Sequence, residues 1–219
     1  MSGTPAARFI TIEGGDGVGK TTQTRMLAAA LAGIGIAARL TREPGGSDGG
    51  EAVRRLLLDD ETLRWDAIGE ALLLVAARRD HVQNLILPSL ERGSWVVCDR
   101  FADSTLAYQG YGRGVDLEQL AALHRFALGD FAPDFTLILD LAVEVAEARQ
   151  ATRAAARDRF ERLDRGFRER LHQGFRRIAA GEPGRCVLID ASGDPARVHA
   201  AVFGAVAARF GLAGHVPGR

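Results

Sequence analysis

The sequence has few of the features that mark secreted, membrane or nucleic-acid-binding proteins. Its 219 residues include two cysteines, Cys98 and Cys186, too few for the disulfide framework of a small secreted domain, and each lies in an apolar run that predicts a buried thiol. Basic and acidic side chains balance at 28 each, which argues against a nucleic-acid partner or an acidic tail. Residues 26–38 are uncharged but too few for a membrane helix. Residues 1–7 show no secretory signal, and we expect a cytoplasmic protein.

Lysine is nearly absent. Lys20 is the one lysine among the 28 basic residues, so the other 27 are arginine. On a solvated surface the two residue types are nearly interchangeable, whereas a tight site distinguishes a compact ammonium from a planar guanidinium. The surviving lysine therefore indicates a place where an ammonium is required.

Apolar runs alternate with helical patterns along the whole chain. The runs predict strands at residues 9–12, 36–40, 95–98, 135–139 and 186–189. Helical patterns cover residues 20–32, 51–58, 65–90 and 143–180, and two further helices open at Asp116, with Gln119 three residues later, and at Asp194, followed by Pro195. Strands separated by helices predict one α/β domain over residues 1–219, with a five-stranded parallel sheet covered by helices on both faces. We expect a helical lid at residues 150–164 and loose tails at 1–7 and 211–219.

A complete phosphate-binding motif follows the first predicted strand. Residues 14–21 fit the pattern G-x-x-x-x-G-K-[ST], and the motif stands between a strand and a helix as it requires. Backbone N–H groups of such a loop cradle phosphates, its lysine reaches the β- and γ-phosphates and its hydroxyl ligates Mg²⁺. The candidate nucleotide-binding residues are Gly14, Gly15, Asp16, Gly17, Val18, Gly19, Lys20, Thr21 and Thr22. A glycine-rich turn without a ligand is the alternative.

Charged residues follow two further strands, at the sheet edge where ligands of such folds bind. Arg100 is placed to hold a phosphate through two hydrogen bonds, and Asp99 either orients Arg100 or binds Mg²⁺. A structural ion pair is the alternative for these two. Residues 41–46, Thr-Arg-Glu-Pro-Gly-Gly, form a turn whose Arg42 and Glu43 either line the site or are solvated. Asp16 would repel a nucleotide unless it has a role such as accepting a hydrogen bond from a substrate hydroxyl.

These motifs, in this order, resemble bacterial thymidylate kinase over roughly residues 8–208. The resemblance is carried by residues 9–21, by Arg-Glu-Pro-Gly-Gly at 42–46, by Asp-Arg-Phe at 99–101 with Ser104, by Tyr-Gln-Gly at 108–110 and by Asp-Arg-Phe-Glu at 158–161. It implies a P-loop kinase fold, ATP-dependent phosphorylation of dTMP to dTDP with Mg²⁺ held at Thr21 and Asp99, and a homodimer.

The same resemblance implies roles on the acceptor side. Asp16 would hold the 3′-hydroxyl of the deoxyribose, Arg100 would hold the acceptor phosphate, and Tyr108 would stand where a ribose 2′-hydroxyl would clash. The base edge would be read by Arg78, Thr105 and Gln109, and the acceptor pocket lined by Arg42 and Pro44. Relatives carry a phenylalanine that stacks on thymine four residues before the base-reading arginine. Here that position is Leu74, which offers apolar contact without a ring, unless it is plain helix core.

Arginines recur at residues 149, 153 and 157 within the predicted lid. A spacing of four residues places them on one face of a helix, where their like charges repel each other. An anionic partner such as the phosphates of ATP would relieve this repulsion. Related kinases without an arginine in the P-loop place the catalytic arginine in the lid. Because no arginine stands in the loop here, Arg153 and Arg149 are the candidates, with a solvated basic helix as the alternative. The stretch 190–193 resembles the family's loop beside adenine.

Two other functions fit a P-loop protein of this size. One is a kinase for another nucleotide or a deoxynucleoside, and the other is a P-loop switch or partitioning ATPase. A GTPase switch is excluded, because its guanine-reading Asn-Lys-x-Asp motif needs a second lysine. A phosphate nucleophile is mostly ionised at pH 7, so the reaction needs alignment and positive charge rather than a general base. The five histidines, His81 and His199 among them, have no metal-ligand spacing and are interpreted as surface or core residues.

Overall fold

A parallel sheet forms the centre of the computed structural model, which describes residues 6–58, 65–151 and 164–212. Within these residues all five strands run parallel, in the order β2-β3-β1-β4-β5. The strands are β1 Phe9–Glu13, β2 Ala38–Arg42, β3 Trp95–Asp99, β4 Phe135–Asp140 and β5 Cys186–Asp190. The predicted α/β class and five-stranded parallel sheet are confirmed.

Helices cover both faces of the sheet. They are α1 Lys20–Gly33, α2 Asp48–Leu58, α3 Ala67–His81, α4 Leu87–Glu91, α5 Ala102–Thr105, α6 Leu117–Leu128, α7 Val143–Ala151, α8 Arg165–Gly181 and α9 Pro195–Phe210. Alternate residues of β1 point to opposite faces. Ile10 and Ile12 pack in a core with α1 and α9, whereas Phe9 packs on the other face with Val82 and Ile86. Residues of α8 extend that second face beneath β4 and β5.

The second strand differs from its prediction. It begins two residues later than expected, because the apolar Ile36 is buried in the turn after α1, where its N–H donates to the Leu31 carbonyl. The strand also lies at a sheet edge, and Arg39, Leu40 and Arg42 are exposed. The expectation that every strand is buried on both sides is therefore wrong for β2, and β5 at the opposite edge exposes Leu188.

The predicted helices are largely confirmed. The segment expected at 65–90 is helical from Ala67 to Glu91, with a π-helical turn at Val82–Ile86 between α3 and α4. A second π-helical turn, Leu106–Gly112, follows α5 and has no counterpart in the sequence prediction. Asp116 and Asp194 cap their helices by accepting backbone N–H groups at 2.9 and 2.8 Å.

The ends of the described chain are packed on the domain. Ala7 contacts the core and Leu212 is buried in it, although both fall within the tails predicted from sequence. The helical region expected at 143–180 is observed as α7 and α8, and residues 152–163, most of the predicted lid, lie outside the described residues. Cys98 and Cys186 are buried free thiols, as predicted. Across the described ranges, no helix is long and apolar enough to cross a membrane.

Candidate active site

The P-loop connects β1 to α1 and is shaped by its glycines. Gly14 has φ +134°, and a Cβ there would lie 2.7 Å from the Leu139 carbonyl oxygen. Gly17 has φ +84°, and its Cβ would lie 2.6 Å from the Ala146 carbonyl oxygen. The loop therefore packs directly on β4 and α7, and both positions require glycine. Gly19, also at positive φ, forms the N-cap of α1, so that helix directs its N-terminus into the loop.

Lys20 lies inside this loop, with 7% of its surface exposed. Its Nζ donates to the Gly15 carbonyl oxygen at 2.6 Å and lies 3.8 Å from the Asp16 carboxylate. Burial, together with the positive charge of Arg100, lowers the pKa of Lys20 to about 8. An anion bound at the loop would raise the pKa of Lys20 again, because its negative charge favours the charged ammonium.

Thr21 and Asp99 meet across the same sheet edge. The Thr21 hydroxyl donates to Asp99 Oδ2 at 2.6 Å. A hydroxyl and a carboxylate are the hard oxygen donors that Mg²⁺ takes from proteins. The two residues predicted as metal ligands are thus adjacent, and their donor chemistry fits Mg²⁺.

Arg100 organises the junction between the P-loop and the rest of the site. Its guanidinium donates to the Gly14 carbonyl at 3.0 Å, to Ser104 Oγ at 3.1 Å, to Tyr108 Oη at 2.9 Å and to Asp16 Oδ1. Tyr108 in turn donates to Asp16 Oδ2 at 2.7 Å. Burial alone would raise the pKa of Asp16, but Arg100 and Lys20 outweigh it and hold that pKa below its usual value. Asp16 is thus a half-buried, ionised acceptor whose carboxylate is held by Arg100 and Tyr108.

A buried carboxylate beneath Arg100 escaped the sequence analysis. Glu13, the last residue of β1, accepts the Phe101 N–H at 2.7 Å and the Ser104 hydroxyl at 2.6 Å. Burial, reinforced by the nearby Asp103, raises the pKa of Glu13 to about 8. These bonds fix the turn in which Arg100 adopts φ +72°, an uncommon conformation for a residue other than glycine.

A cleft of about 590 Å³ opens beside Arg100. It brings together most of the predicted acceptor residues with several that were not predicted. The lining comprises Asp16, Glu43, Pro44, Arg54, Leu58, Leu74, Arg78, Arg100, Phe101, Ser104, Thr105, Tyr108 and Gln109. A second groove, lined by Asp16, Lys20, Thr21, Asp99 and Arg100 among others, joins this cleft to the P-loop. Leu74 therefore faces the cleft and is not plain helix core.

Arg78 is held at the far end of the cleft, with 2% of its surface exposed. Its Nε donates to Glu43 Oε2 at 2.8 Å, and its Nη2 donates to the Phe101 carbonyl at 3.1 Å and to Thr105 Oγ1 at 2.9 Å. Glu43 is buried as well, so the alternative of a solvated turn residue is wrong for it.

Gln109 contributes an acceptor to the same end of the cleft. Its Nε2 donates to Glu70 Oε2 at 3.0 Å. Because a carboxylate only accepts, this bond fixes the amide with Oε1 turned away from Glu70. That oxygen is buried and has no hydrogen-bond partner among the described residues, which leaves it for a ligand that donates.

Arg42 lies outside the acceptor cleft in which it was predicted, and Arg54, which was not predicted, lines that cleft. Arg42 donates to the Glu51 carboxylate at 2.9 and 3.1 Å and lines the groove beside the P-loop. Arg54 of α2 lines the acceptor cleft and donates to the Pro44 carbonyl at 2.9 Å. No motif marks Arg54, since only the packing of α2 brings it to the site.

Arg149 contacts the loop that follows β5. Its guanidinium donates to the carbonyls of Ala191, Ser192 and Gly193 at 3.0 to 3.3 Å. These bonds tie Arg149 to the loop after β5, and its action on the phosphates stays a prediction. Arg153, Arg157 and the residues 158–161 lie outside the described residues.

Arg100 lines both the acceptor cleft and the groove beside the P-loop, and Lys20 lines that groove with it. This arrangement suits phosphoryl transfer between two nucleotides, because both phosphates converge on one pair of cations. Together with the parallel sheet, it defines a P-loop nucleoside monophosphate kinase.

Comparison with known proteins gives the family. The family model described as thymidylate kinase matches residues 12–202. A thymidylate kinase of Rhizorhabdus wittichii is 52% identical over 201 residues, which cover 91% of this chain and 97% of the relative. A thymidylate kinase of Caulobacter vibrioides is 49% identical over 204 residues, which cover 93% of this chain and 98% of the relative. A crystal structure of thymidylate kinase from Ehrlichia chaffeensis superposes with a TM-score of 0.74 at 38% identity, covering 92% of this chain and 99% of that one. The chain belongs to the thymidylate kinase family.

Proposed function

We propose that this chain transfers the γ-phosphoryl group of ATP to dTMP, forming dTDP for dTTP synthesis. The observation that carries the proposal is the polar pair at the end of the acceptor cleft. Arg78 is a donor, and Gln109 Oε1 is a buried acceptor without a partner among the described residues. Thymine presents the complementary edge, a carbonyl beside a ring N–H, whereas cytosine presents an amino group beside an unprotonated nitrogen.

The donor nucleotide is assigned to the P-loop. Backbone N–H groups of residues 14–22 would surround the β- and γ-phosphates, and Lys20 would exchange its bond to the Gly15 carbonyl for phosphate oxygens. Thr21 and Asp99 would hold Mg²⁺, which neutralises negative charge on the phosphates when bound.

The acceptor nucleotide is assigned to the cleft. Arg100 would hold the 5′-phosphate, and Asp16 would accept the 3′-hydroxyl. The Tyr108 ring is fixed by its bonds to both residues, so it would exclude a ribose 2′-hydroxyl by contact. The acceptor phosphate is mostly ionised at neutral pH, so these residues align it and no general base is needed.

A coupled ADP-release assay with a panel of nucleoside monophosphates tests the proposal. We expect the highest kcat/KM with dTMP. The value for dUMP, which lacks one methyl group, should be about tenfold lower, and that for dCMP about 10³-fold lower, because its edge mismatches both side chains. A preference for dCMP, dAMP or dGMP would instead support the alternative of a kinase for another nucleotide. ATP hydrolysis unaffected by every monophosphate would support a switch ATPase.

The lid arginine remains a proposal carried by the sequence. We expect Arg153→Ala to lower kcat on the order of 10³-fold with little change in the KM for dTMP, since a charge on the transferred group acts in the transition state. Arg149→Ala is the matched comparison and should act mainly on the KM for ATP, because Arg149 holds the loop at 191–193. Steady-state kinetics separates these effects, and a kcat within twofold of wild type for Arg153→Ala would refute the assignment.

Leu74 gives a second prediction. Its side chain lines the acceptor cleft together with Arg78 and Gln109, the two residues proposed to bind the edge of the base. We expect Leu74→Phe to lower the KM for dTMP several-fold, because a stacked ring adds about 0.5–1.5 kcal/mol beyond its buried area. Leu188→Phe, at an exposed position of β5 that does not line the cleft, is the control and should leave KM unchanged. An unchanged KM together with unchanged melting temperature in Leu74→Phe would show that residue 74 does not contact the base.

The homodimer and the cytoplasmic location stay part of this proposal. Helices α3 and α6 pack side by side, and Arg79 of α3 donates to the Ala127 carbonyl at 3.0 Å at the end of α6. The outer sides of these helices expose Ile68, Leu72 and Phe126, the last with 90% of its surface exposed. Exposed apolar side chains on neighbouring helices suit a second copy of the chain.

Light scattering after size exclusion tests the dimer. We expect the wild type at twice the chain mass and the double variant Leu72→Glu/Phe126→Glu at the monomer mass, because buried charges would oppose association. Val145→Glu, at an exposed apolar position of α7, serves as control and should remain dimeric. A monomeric wild type, or a dimeric double variant, would count against this surface.

A further inference from the structure

We propose that His81 is a positioning residue for base recognition, which acts by fixing Glu43 and, through it, the guanidinium of Arg78. The inference rests on the proposed role of Arg78 in reading the base. His81 lies at the end of α3, is fully buried and does not line the acceptor cleft.

The contacts form one chain from the sheet to the base-reading residue. His81 Nδ1 lies 3.0 Å from Glu43 Oε1, while the other oxygen of the same carboxylate accepts Arg78 Nε–H at 2.8 Å. On the opposite side of the ring, His81 Nε2 lies 2.7 Å from Thr41 Oγ1 in β2. The imidazole therefore ties the carboxylate to the sheet.

Chemistry fixes the direction of the first bond. Because an ionised carboxylate only accepts, the proton on this side belongs to His81 Nδ1. Nε2 can then accept from the Thr41 hydroxyl, and both ring nitrogens are satisfied without a change in the buried network.

The loop after β2 closes over this network. Gly46 has φ +83°, and a Cβ there would lie 2.4 Å from Thr41 Oγ1 and 2.5 Å from His81 Nε2. Any side chain at residue 46 would collide with the pair, so the loop backbone covers it directly. Water is thus kept from replacing the imidazole as a donor to Glu43.

Helix geometry explains why this histidine acts on this arginine. Arg78 and His81 are three residues apart on α3, so they lie on one face of the helix. Both side chains contact the carboxylate of Glu43. Arg78 Nη2 donates to the Phe101 carbonyl and to Thr105 Oγ1, and Glu43 accepts the bond that orients Nε. Losing His81 would leave Glu43 Oε1 buried without a partner, and rotation of the carboxylate to recover one would displace Arg78.

We call the contacts from His81 through Glu43 to Arg78 the relay. Two substitutions to amide side chains test it, because each amide replaces one ring nitrogen of His81. In His81→Asn the amide nitrogen takes the place of Nδ1 and keeps the bond to Glu43. In His81→Gln it takes the place of Nε2 and keeps the contact with Thr41. We expect the KM for dTMP to stay within about twofold of wild type in His81→Asn and to rise about tenfold in His81→Gln. The kcat and the KM for ATP should change little in either variant.

A double-mutant cycle with Arg78→Met separates positioning from a general structural role. If His81 acts through Arg78, His81→Gln should raise the KM for dTMP no further when Arg78 is already methionine. Equal KM values in His81→Asn and His81→Gln would overturn the relay, and so would an additive effect in the cycle. Should Arg78→Met fail to fold, the comparison of the two amides decides alone.

The same assay distinguishes this inference from the proposed function. A wild-type enzyme that does not phosphorylate dTMP would refute the function itself. A wild type active on dTMP, with a His81→Gln variant of normal KM, would refute only the relay.

Discussion

Lys20→Ala is expected to lower the kcat for dTMP phosphorylation on the order of 10³-fold or more while the protein remains folded. The ammonium lies in the groove beside the P-loop, and its hydrogen bond among the described residues is to the Gly15 carbonyl. Its removal takes a preorganised charge from the transferred group in a largely water-excluded site, where such charges have their greatest effect. Few native contacts depend on it, so the melting temperature should change little.

Lys20→Arg tests whether the site requires an ammonium or any positively charged group. Twenty-seven of the 28 basic residues are arginine, and position 20 alone keeps lysine. A planar guanidinium is larger than an ammonium and does not reproduce its compact bond to the Gly15 carbonyl. We expect a kcat nearly as low as that of Lys20→Ala in rapid-quench or coupled assays. Near-normal turnover in Lys20→Arg would contradict the claim that the site requires a compact charge.

Arg100→Ala is expected to lower kcat/KM for dTMP by about 10²–10⁴-fold. Two charge-assisted hydrogen bonds to the acceptor phosphate are each worth about 1.5–3 kcal/mol. The change also frees Asp16 and Tyr108, whose side chains Arg100 holds, so the predicted partner of the 3′-hydroxyl loses its position.

Arg100→Lys provides the graded comparison. It retains the charge but not the planar fork, and we expect a loss intermediate between wild type and Arg100→Ala. Arg92→Ala, at an exposed position after α4, removes an arginine far from the cleft and should leave the kinetics unchanged. If Arg100→Ala kept kcat/KM within tenfold of wild type, the acceptor phosphate would not bind at Arg100.

The fold was largely predictable because its signals are local. Continuous apolar runs mark buried parallel strands, and the capping residues Asp116 and Asp194 mark helix starts. The start of β2 was misplaced because Ile36 is apolar for another reason: it fills the turn after α1. The π-helical turn at 106–112 also lacked a signal, since its backbone is fixed by packing against α8.

The residues of the candidate site were likewise predictable only where they have a local sequence signal. The P-loop motif locates Lys20, and the rule for sheet edges locates Asp99 and Arg100, which stand at the carboxyl end of β3. Glu13 escaped because its partners Phe101 and Ser104 stand 88 and 91 residues further along the chain. Arg54 and His81 escaped similarly, since helix packing alone brings them to the cleft and to Glu43. Most of the residues proposed to touch substrate follow motifs, whereas Arg54 and the supporting residues Glu13 and His81 depend on tertiary contacts.

A crystal structure with dTMP, Mg²⁺ and a non-hydrolysable ATP analogue would test the central claim most directly. The account predicts the acceptor phosphate on Arg100 near Lys20, the 3′-hydroxyl on Asp16, and the thymine edge between Arg78 and Gln109 Oε1. The triphosphate should lie along residues 14–21, with Mg²⁺ at Thr21 and Asp99. A reversed dTMP, with its base at the P-loop and its phosphate at Arg78, or dTMP bound outside the cleft, would contradict it.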